Sequence, residues 1–476
     1  MNQSHSRRNF IRTFSLGTVA VSTLPLAACG GDGDDRTVSF AHGVASGDPL
    51  TDRVILWTRI TATGTADIDV GWEISETSDF SRTVASGSLR TGPASDFTVK
   101  VDATGLTANR SYFYRFGCYG QLSPVGRTKT LPTGSVSRVR FAVFSCSNYP
   151  AGYFNVYADA ARFDDIDVGL HLGDYIYEYA AGGYASQNAG TLGRVSKPAT
   201  EIITLTDYRI RFQQYRTDPD LQAVHARMPF IAVWDDHELT NDTWSGGAEN
   251  HDPATEGLWS ARRQMAIQAY HEWMPIRVPN TAQPDKIYRS FDFGNLISLH
   301  MLDTRVIGRD KQLALASYVG ADRSFNSAAF TADVTNPARQ LMGAEQTTWL
   351  RNQMSKSTAT WQILGQQVLM ARMLLPAPMV LGTTGYPAYF AIAAKVKAGV
   401  ALSAAEQQLL TTTPVPYNLD AWDGYHAARE TVLNMAQTLN KNMVVLAGDT
   451  HNAWASDLAD QQGRAVGVEF GVPAVT

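Results

Sequence analysis

Between Thr37 and Thr133 the apolar residues come in short runs broken by Gly, Pro, Asp and Thr: Arg53-Val-Ile-Leu-Trp-Thr-Arg59, Asp69 to Ile74, Phe97 to Val101 and Ser111 to Phe116. Closely spaced short strands of this kind predict a small β-sandwich. A Pro-Thr-Gly linker at residues 132–134 closes that unit, and the pattern then changes. Arg140 to Ser145, Ile166 to Leu172, Phe230 to Trp234, Leu296 to Leu302, Thr360 to Leu364 and Met443 to Ala447 read as buried strands. Amphipathic stretches lie between them, among them Leu258 to Met274, Ala344 to Met354 and Ala421 to Leu439. The alternation predicts an α/β domain over residues 134–476, with chemistry at the strand ends.

Three stretches do not fit the alternation. Tyr179 to Lys197 and Ala316 to Pro337 read as long surface loops, of the kind that lines active sites. Val466 to Phe470 reads as a strand with no finishing element before Thr476, so a longer parent protein is expected. Within the sandwich, Leu106-Thr-Ala-Asn-Arg-Ser-Tyr112-Phe-Tyr114 resembles the corner and strand of a fibronectin type III domain.

The first 29 residues read as an address. Paired arginines in Ser6-Arg7-Arg8-Asn9-Phe10 precede an apolar run, Phe14 to Ala28, that Gly17 and Pro25 interrupt. This is the pattern of a twin-arginine export signal, which implies the export machinery as a partner. The run ends in Leu26-Ala27-Ala28-Cys29, which resembles a lipoprotein box with Cys29 as the lipidated residue. The alternative is plain cleavage near Ala28. Residues 30–36 would be an acidic tether, and the membrane would be met only through the lipid.

Composition narrows the function. A net charge of −5 with 18% charged residues offers no basic face to track a polyanion, so nucleic acid is excluded as a stable partner. Beyond Cys29 only Cys118 and Cys146 remain, too few for a disulfide framework.

Ligand-type residues stand just past the predicted strands at four places: Ser145-Cys146-Ser147-Asn148, Gly173-Asp174-Tyr175-Ile176-Tyr177-Glu178, Trp234-Asp235-Asp236-His237-Glu238 with Asn241 close behind, and Gly448-Asp449-Thr450-His451. Each alone has an ordinary explanation as a turn residue, a helix cap or a buried thiol. Together they converge, because parallel strands end on one sheet edge. Carboxylates crowded in a dry cleft then require cations. Cys146, Asp174, Tyr177 and His451 suit a polarising ion such as Fe³⁺, whereas Asp235, Asp236, Asn241 and Asp449 suit Ca²⁺ or Mg²⁺, with Asp174 as the bridge.

These clusters, with Leu-Asp303-Thr-Arg305, Trp422-Asp-Gly-Tyr425 and Phe40-Ala-His-Gly-Val-Ala-Ser-Gly-Asp48, resemble the motif series of PhoD-type alkaline phosphatases, a branch of the calcineurin-like metallophosphoesterases. The resemblance covers almost all of the chain after the signal. It implies a four-layer α/β sandwich behind the β-sandwich, one Fe³⁺ with one or two Ca²⁺ (Zn²⁺, Mg²⁺ or Mn²⁺ being possible replacements), and hydrolysis of phosphate monoesters and diesters by a monomer outside the cytoplasm. It also implies a further segment past the position of Thr476 that partly covers the site.

Metal-activated water attacking phosphorus is the expected reaction. Arg305 and Asn148 are candidate clamps on the phosphoryl oxygens, Arg305 having an ion-pair role as its alternative. His237 is a candidate acid for the leaving group or a ligand. His171 and His300 are expected to be core histidines, His42 to line the site or pack, and Trp422 to Tyr425 to start a helix behind the metal loops. Two rivals stand beside this reading: a diesterase for phospholipids or nucleotides on the same site, and a lipid-anchored phosphate- or glycan-binding protein with structural metals.

Overall fold

A computed structural model describes residues 37–322, 324–412 and 414–476; the export signal, Cys29 and the tether lie outside the described residues. Strand-forming runs take up the expected positions. Arg53–Arg59, Ile68–Ser75, Thr98–Thr104 and Ser111–Cys118 are strands, and Thr83–Thr91 adds one whose mostly exposed side chains give no apolar signal. In Ser111–Cys118 every second residue, Tyr112, Tyr114, Phe116 and Cys118, enters the sandwich core. The Tyr112 hydroxyl accepts a hydrogen bond from Thr107 N at 2.9 Å, which pins the corner before the strand.

One sandwich sheet does not stop at the expected linker. Thr98–Thr104, Arg53–Arg59 and Val44–Gly47 pair antiparallel, and Val44–Gly47 then meets Phe230–Ala232, which continues to Val168–His171 and Phe141–Phe144 in parallel. The two regions thus share a six-stranded sheet. Gly47 makes the join possible, because a Cβ there would lie 2.5 Å from the Phe230 carbonyl oxygen and 2.1 Å from that of Pro275. Residues on Arg53–Arg59 serve both sides: Val54 and Leu56 face the sandwich core, while Trp57 packs in the α/β core and donates to the Glu272 carbonyl at 2.8 Å.

A second six-stranded sheet runs Arg289–Phe293, Ile297–Met301, Trp361–Gly365, Asn442–Ala447, Ala465–Gly471, Trp454–Ala459, its four inner strands parallel. The sheets face each other across Phe144, Leu170, Ile231, Leu299 and Ile363, each large apolar side chain contributing roughly 1.5–3 kcal/mol by burial. Helices Leu205–Arg216 and Trp259–Trp273 cover the first sheet, and Gly343–Lys356 and His426–Thr438 the second. The result is a four-layer α/β sandwich with an N-terminal strand-rich domain. Among the described residues no helix is long and apolar enough to cross a membrane.

Two expected elements differ. The stretch Ala421 to Leu439 is not one helix: Trp422–Gly424 forms a tight turn, and the helix proper is His426–Thr438. Trp422 is drawn inward by its Nε1 bond to Gln366 Oε1 at 3.0 Å. The stretch Ala316 to Pro337 contains the helix Ser327–Val334, started by Asn326 Oδ1 accepting from Ala329 N at 3.1 Å and held by Phe330 and Val334 in a satellite core.

Candidate metal centre

Parallel strands of both sheets release their C-terminal ends along one edge, where all four ligand-bearing loops meet. Backbone bonds lock the first two together, Cys146 N donating to Gly173 O at 3.1 Å and Ser147 N to Asp174 O at 2.9 Å. Glycine permits the approach: a Cβ on Gly173 would stand 2.4 Å from Asp235 Cβ, and one on Gly448 would stand 2.6 Å from Ser145 Cβ. Glu238, wholly buried, ties the second loop to the third. Its Oε2 accepts from Asp174 N at 3.0 Å and Asp235 N at 2.8 Å, and its Oε1 from Tyr175 N at 2.7 Å. Gln367 joins the sheets in the same manner, donating to the Trp234 and Leu302 carbonyls and accepting from Thr304.

Cys146, Asp174, Asp449 and His451 all occupy the left-handed region, with φ of 59°, 57°, 66° and 59°. Holding a non-glycine residue there costs roughly 1–3 kcal/mol, and such strain clusters at functional sites. Here it turns four potential ligands toward one point.

Three sets of donor atoms result, each within 4.8 Å of one another: Cys146, Asp174 and His451; Asp174, Asp236 and His237; and Asp235, Asp236 and Asp449. Asp174 and Asp236 each belong to two sets. The Cys146 thiol donates to Asp174 Oδ2 at 3.4 Å and the Tyr177 hydroxyl to the same oxygen at 3.2 Å, while Tyr177 also lies 3.2 Å from His451 Nε2. Burial, followed by the charge of Asp174, pushes the Cys146 thiol and the Tyr177 phenol well above their usual ranges. Burial also raises Asp174 and Asp235 far above the carboxylate range, and Asp449 to about 7. Without a counterion these groups resist ionisation.

Asp236 Oδ1 accepts no hydrogen bond among the described residues. A thiol, a phenol, an imidazole and carboxylates gathered this closely fit multivalent cations.

His237 is held by Glu178, whose Oε2 is 2.6 Å from Nδ1, and its ring lies 4.2 Å from that of Tyr177. Burial would lower its pKa, but Glu178, Asp236 and Asp174 outweigh burial and raise it well above the ordinary histidine value.

Arg305 is not turned to an open cleft. Wholly buried, it binds Asp235 through Nε, Asp420 at 2.7 Å, Asp449 at 3.3 Å and Asp236 at 3.5 Å, the ion-pair alternative of the sequence reading carried into the interior. Asn241 Oδ1 accepts from Tyr179 at 3.0 Å and its amide donates to Glu249 at 2.7 Å, so its side chain is engaged at the rim. Asn148 donates to the Tyr184 carbonyl at 3.4 Å, and its Oδ1 is buried without a partner among the described residues.

The histidines set aside in the sequence sit elsewhere. His171 pairs with Tyr157 at 2.9 Å, His300 with Gln362 at 2.9 Å, and His42 packs edge-on against Trp273. Sequence reasoning gave no structural part to Glu178, Glu238, Gln367, Asp420 or Tyr184. The two glutamates stand inside the ligand motifs and were legible as further acids there; Asp420 follows a long insertion and carries no local signal. Tyr184, on the expected long loop, lies 3.3 Å from His451 Nδ1.

The sequence model of the PhoD-like phosphatase family matches residues 141–476, and that of the PhoD-like phosphatase N-terminal domain matches residues 27–132. Alkaline phosphatase D of Bacillus subtilis (strain 168) is 35% identical over 497 aligned positions, covering 100% of this chain and 77% of that protein. A solved structure of PhoD superposes with a TM-score of 0.75 at 36% identity, covering 92% of this chain and 77% of that one. The chain belongs to the PhoD-like phosphatase family, hydrolases that act on phosphate esters.

Proposed function

We propose that this cleft hydrolyses phosphate monoesters and diesters with cations held by the buried donor groups on its sheet edge. The carrying observation is that two sets of donors, Cys146 with Asp174 and His451, and Asp174 with Asp236 and His237, overlap at Asp174 on one sheet edge. Cys146, Asp174, Tyr177 and His451 would hold Fe³⁺, since thiolate and phenolate are ligands for a strongly polarising ion; Asp235, Asp236 and Asp449 would hold Ca²⁺ or another hard divalent ion. When bound, such ions supply Lewis acidity toward the phosphoryl oxygens and toward water.

The chain's own groups do the rest. Glu238 and Gln367 fix the loops, and the Arg305 charge opposes the burial that raises Asp235 and Asp449 while its guanidinium stays on the carboxylates. Glu178 holds Nδ1 of His237, so Nε2 is the nitrogen from which a proton passes to the leaving oxygen. Tyr184, its ring stacked 6.4 Å from that of Tyr177 and half-exposed at the mouth, borders the leaving-group side.

The paired arginines and the Leu-Ala-Ala-Cys29 box support export and lipid anchoring, which would place this activity outside the cytoplasm. The test is turnover of a chromogenic monoester and a chromogenic diester before and after chelation. Activity on both, lost with the metals and regained on adding them back, is expected. Undiminished turnover of a metal-free chain contradicts the proposal.

A further inference from the structure

Between residues 374 and 416 the chain leaves the sandwich on an antiparallel stalk, Leu374–Pro376 paired with Pro414–Pro416. The stalk carries two helices, Tyr386–Lys397 and Ala404–Thr411. Only Ile392 is buried in the first helix, and the second buries nothing. A helix pair so little covered is ordinarily polar all round. This one is the reverse: only Lys395, Lys397 and Glu406 are charged between 374 and 416, against 18% charged residues in the whole chain. Phe390 is 63% exposed, Val396 and Val400 53%, Tyr386 46% and Leu410 38%. The base of the arm, with the short helix Ala377–Val380, packs on Phe330 and Val334, whereas the two outer helices hold these apolar side chains in the open.

We infer that this arm docks on the lipid–water interface of a bilayer. The distribution of residues selects that occupant. Tyr386, Tyr389 and Phe390 stand at one end of the first helix and Lys395 and Lys397 at the other, with aliphatic and alanine positions between. Aromatic rings at headgroup depth and lysines reaching anionic headgroups are the composition of an interfacial helix. Lys395 pairs with Glu406, the one acidic residue of the segment, so Lys397 supplies the net positive charge that complements an anionic surface although the chain as a whole is at −5. The chain outside the described residues points the same way, since its apolar run ends in Cys29, and a single acyl chain gives only marginal binding unless a second membrane contact supports it.

The arm is therefore the second contact. Its stalk ends shortly before Asp420, the carboxylate 2.7 Å from Arg305, so docking would set the cleft beside the surface.

The test uses the full chain with Cys29→Ser, which removes the acyl site, and co-sedimentation with vesicles of phosphatidylglycerol and phosphatidylethanolamine or of phosphatidylcholine alone. Binding to the anionic vesicles is expected, at least ten-fold weaker in Phe390→Glu/Val396→Glu and several-fold weaker in Lys397→Glu. Turnover of a soluble chromogenic phosphate ester should be unchanged in all of them, and the exposed Phe390→Ser provides a milder variant that shares the first defect. A Cys29→Ser chain that stays in the supernatant with every vesicle, or glutamate variants that bind undiminished, overturns the inference. So does a dimer in analytical ultracentrifugation that the same variants dissociate, because the face then belongs to a second copy.

Discussion

Replacement of Glu238 tests how the centre is built rather than what it binds. Its carboxylate accepts three backbone amides, two on Oε2 and one on Oε1, all between 2.7 and 3.0 Å. In Glu238→Gln the carbonyl oxygen can keep the Asp174 and Asp235 amides, but the new NH₂ faces Tyr175 N–H, donor against donor. One orphaned buried amide costs about 1–3 kcal/mol, and, above the pKa of about 8 to which burial raises Glu238, weakening two charge-assisted bonds adds roughly 1 kcal/mol. The expected loss is therefore about 2–4 kcal/mol, and Glu238→Ala, which orphans all three amides, should lose more. Both changes free Asp174 and Asp235 from their positions, so activity should fall further than stability alone explains. Equilibrium denaturation with added metal, read alongside turnover below the transition, measures both effects. A Gln variant within about 0.5 kcal/mol of the parent with full activity would refute the stapling role.

Two further outcomes follow from the electrostatics. Burial raises Glu469 to about 7 against two backbone bonds at 2.7 Å, so the folded state binds more protons than the unfolded one between about 4.5 and 7. Its contribution must fall as pH rises through that window, by at most about 3 kcal/mol; Glu469→Gln should flatten the parent's stability profile there, and an unchanged slope in denaturation at several pH values would contradict this. His237→Gln should slow alkyl esters by about 10²-fold and nitrophenyl esters much less, because only a poor leaving group requires its proton; equal losses across a leaving-group series would assign His237 to metal binding instead.

Much of this organisation was legible in the chain. Runs such as Ile297–Met301 and Asn442–Ala447 are buried on both faces and read as strands without ambiguity. Asp174, Asp236 and His451 were recoverable because each follows such a run directly. What the sequence concealed depends on pairing at long range. Thr83–Thr91 is a strand because Ile68–Ser75 pairs with it, and its own side chains are largely exposed. The shared sheet turns on Gly47 lying against Phe230, a contact no local pattern announces. Arg305 shows the same limit: its motif left a phosphoryl clamp and an ion-pair partner as alternatives, and only the folded chain reveals carboxylates from three other loops closing around its guanidinium.

Asp174 stands within ligand distance of Cys146 and His451 on one side and of Asp236 on the other, and on the proposed reading it would bridge the cations held on its two sides. Elemental analysis of the purified chain beside Asp174→Asn, with turnover measured on the same samples, tests it most directly. More than one equivalent of metal per parent chain is expected, with a marked loss of metal in the variant and hydrolysis lost with it while the folded state persists. A variant that retains the parent's metal content and turnover would contradict it.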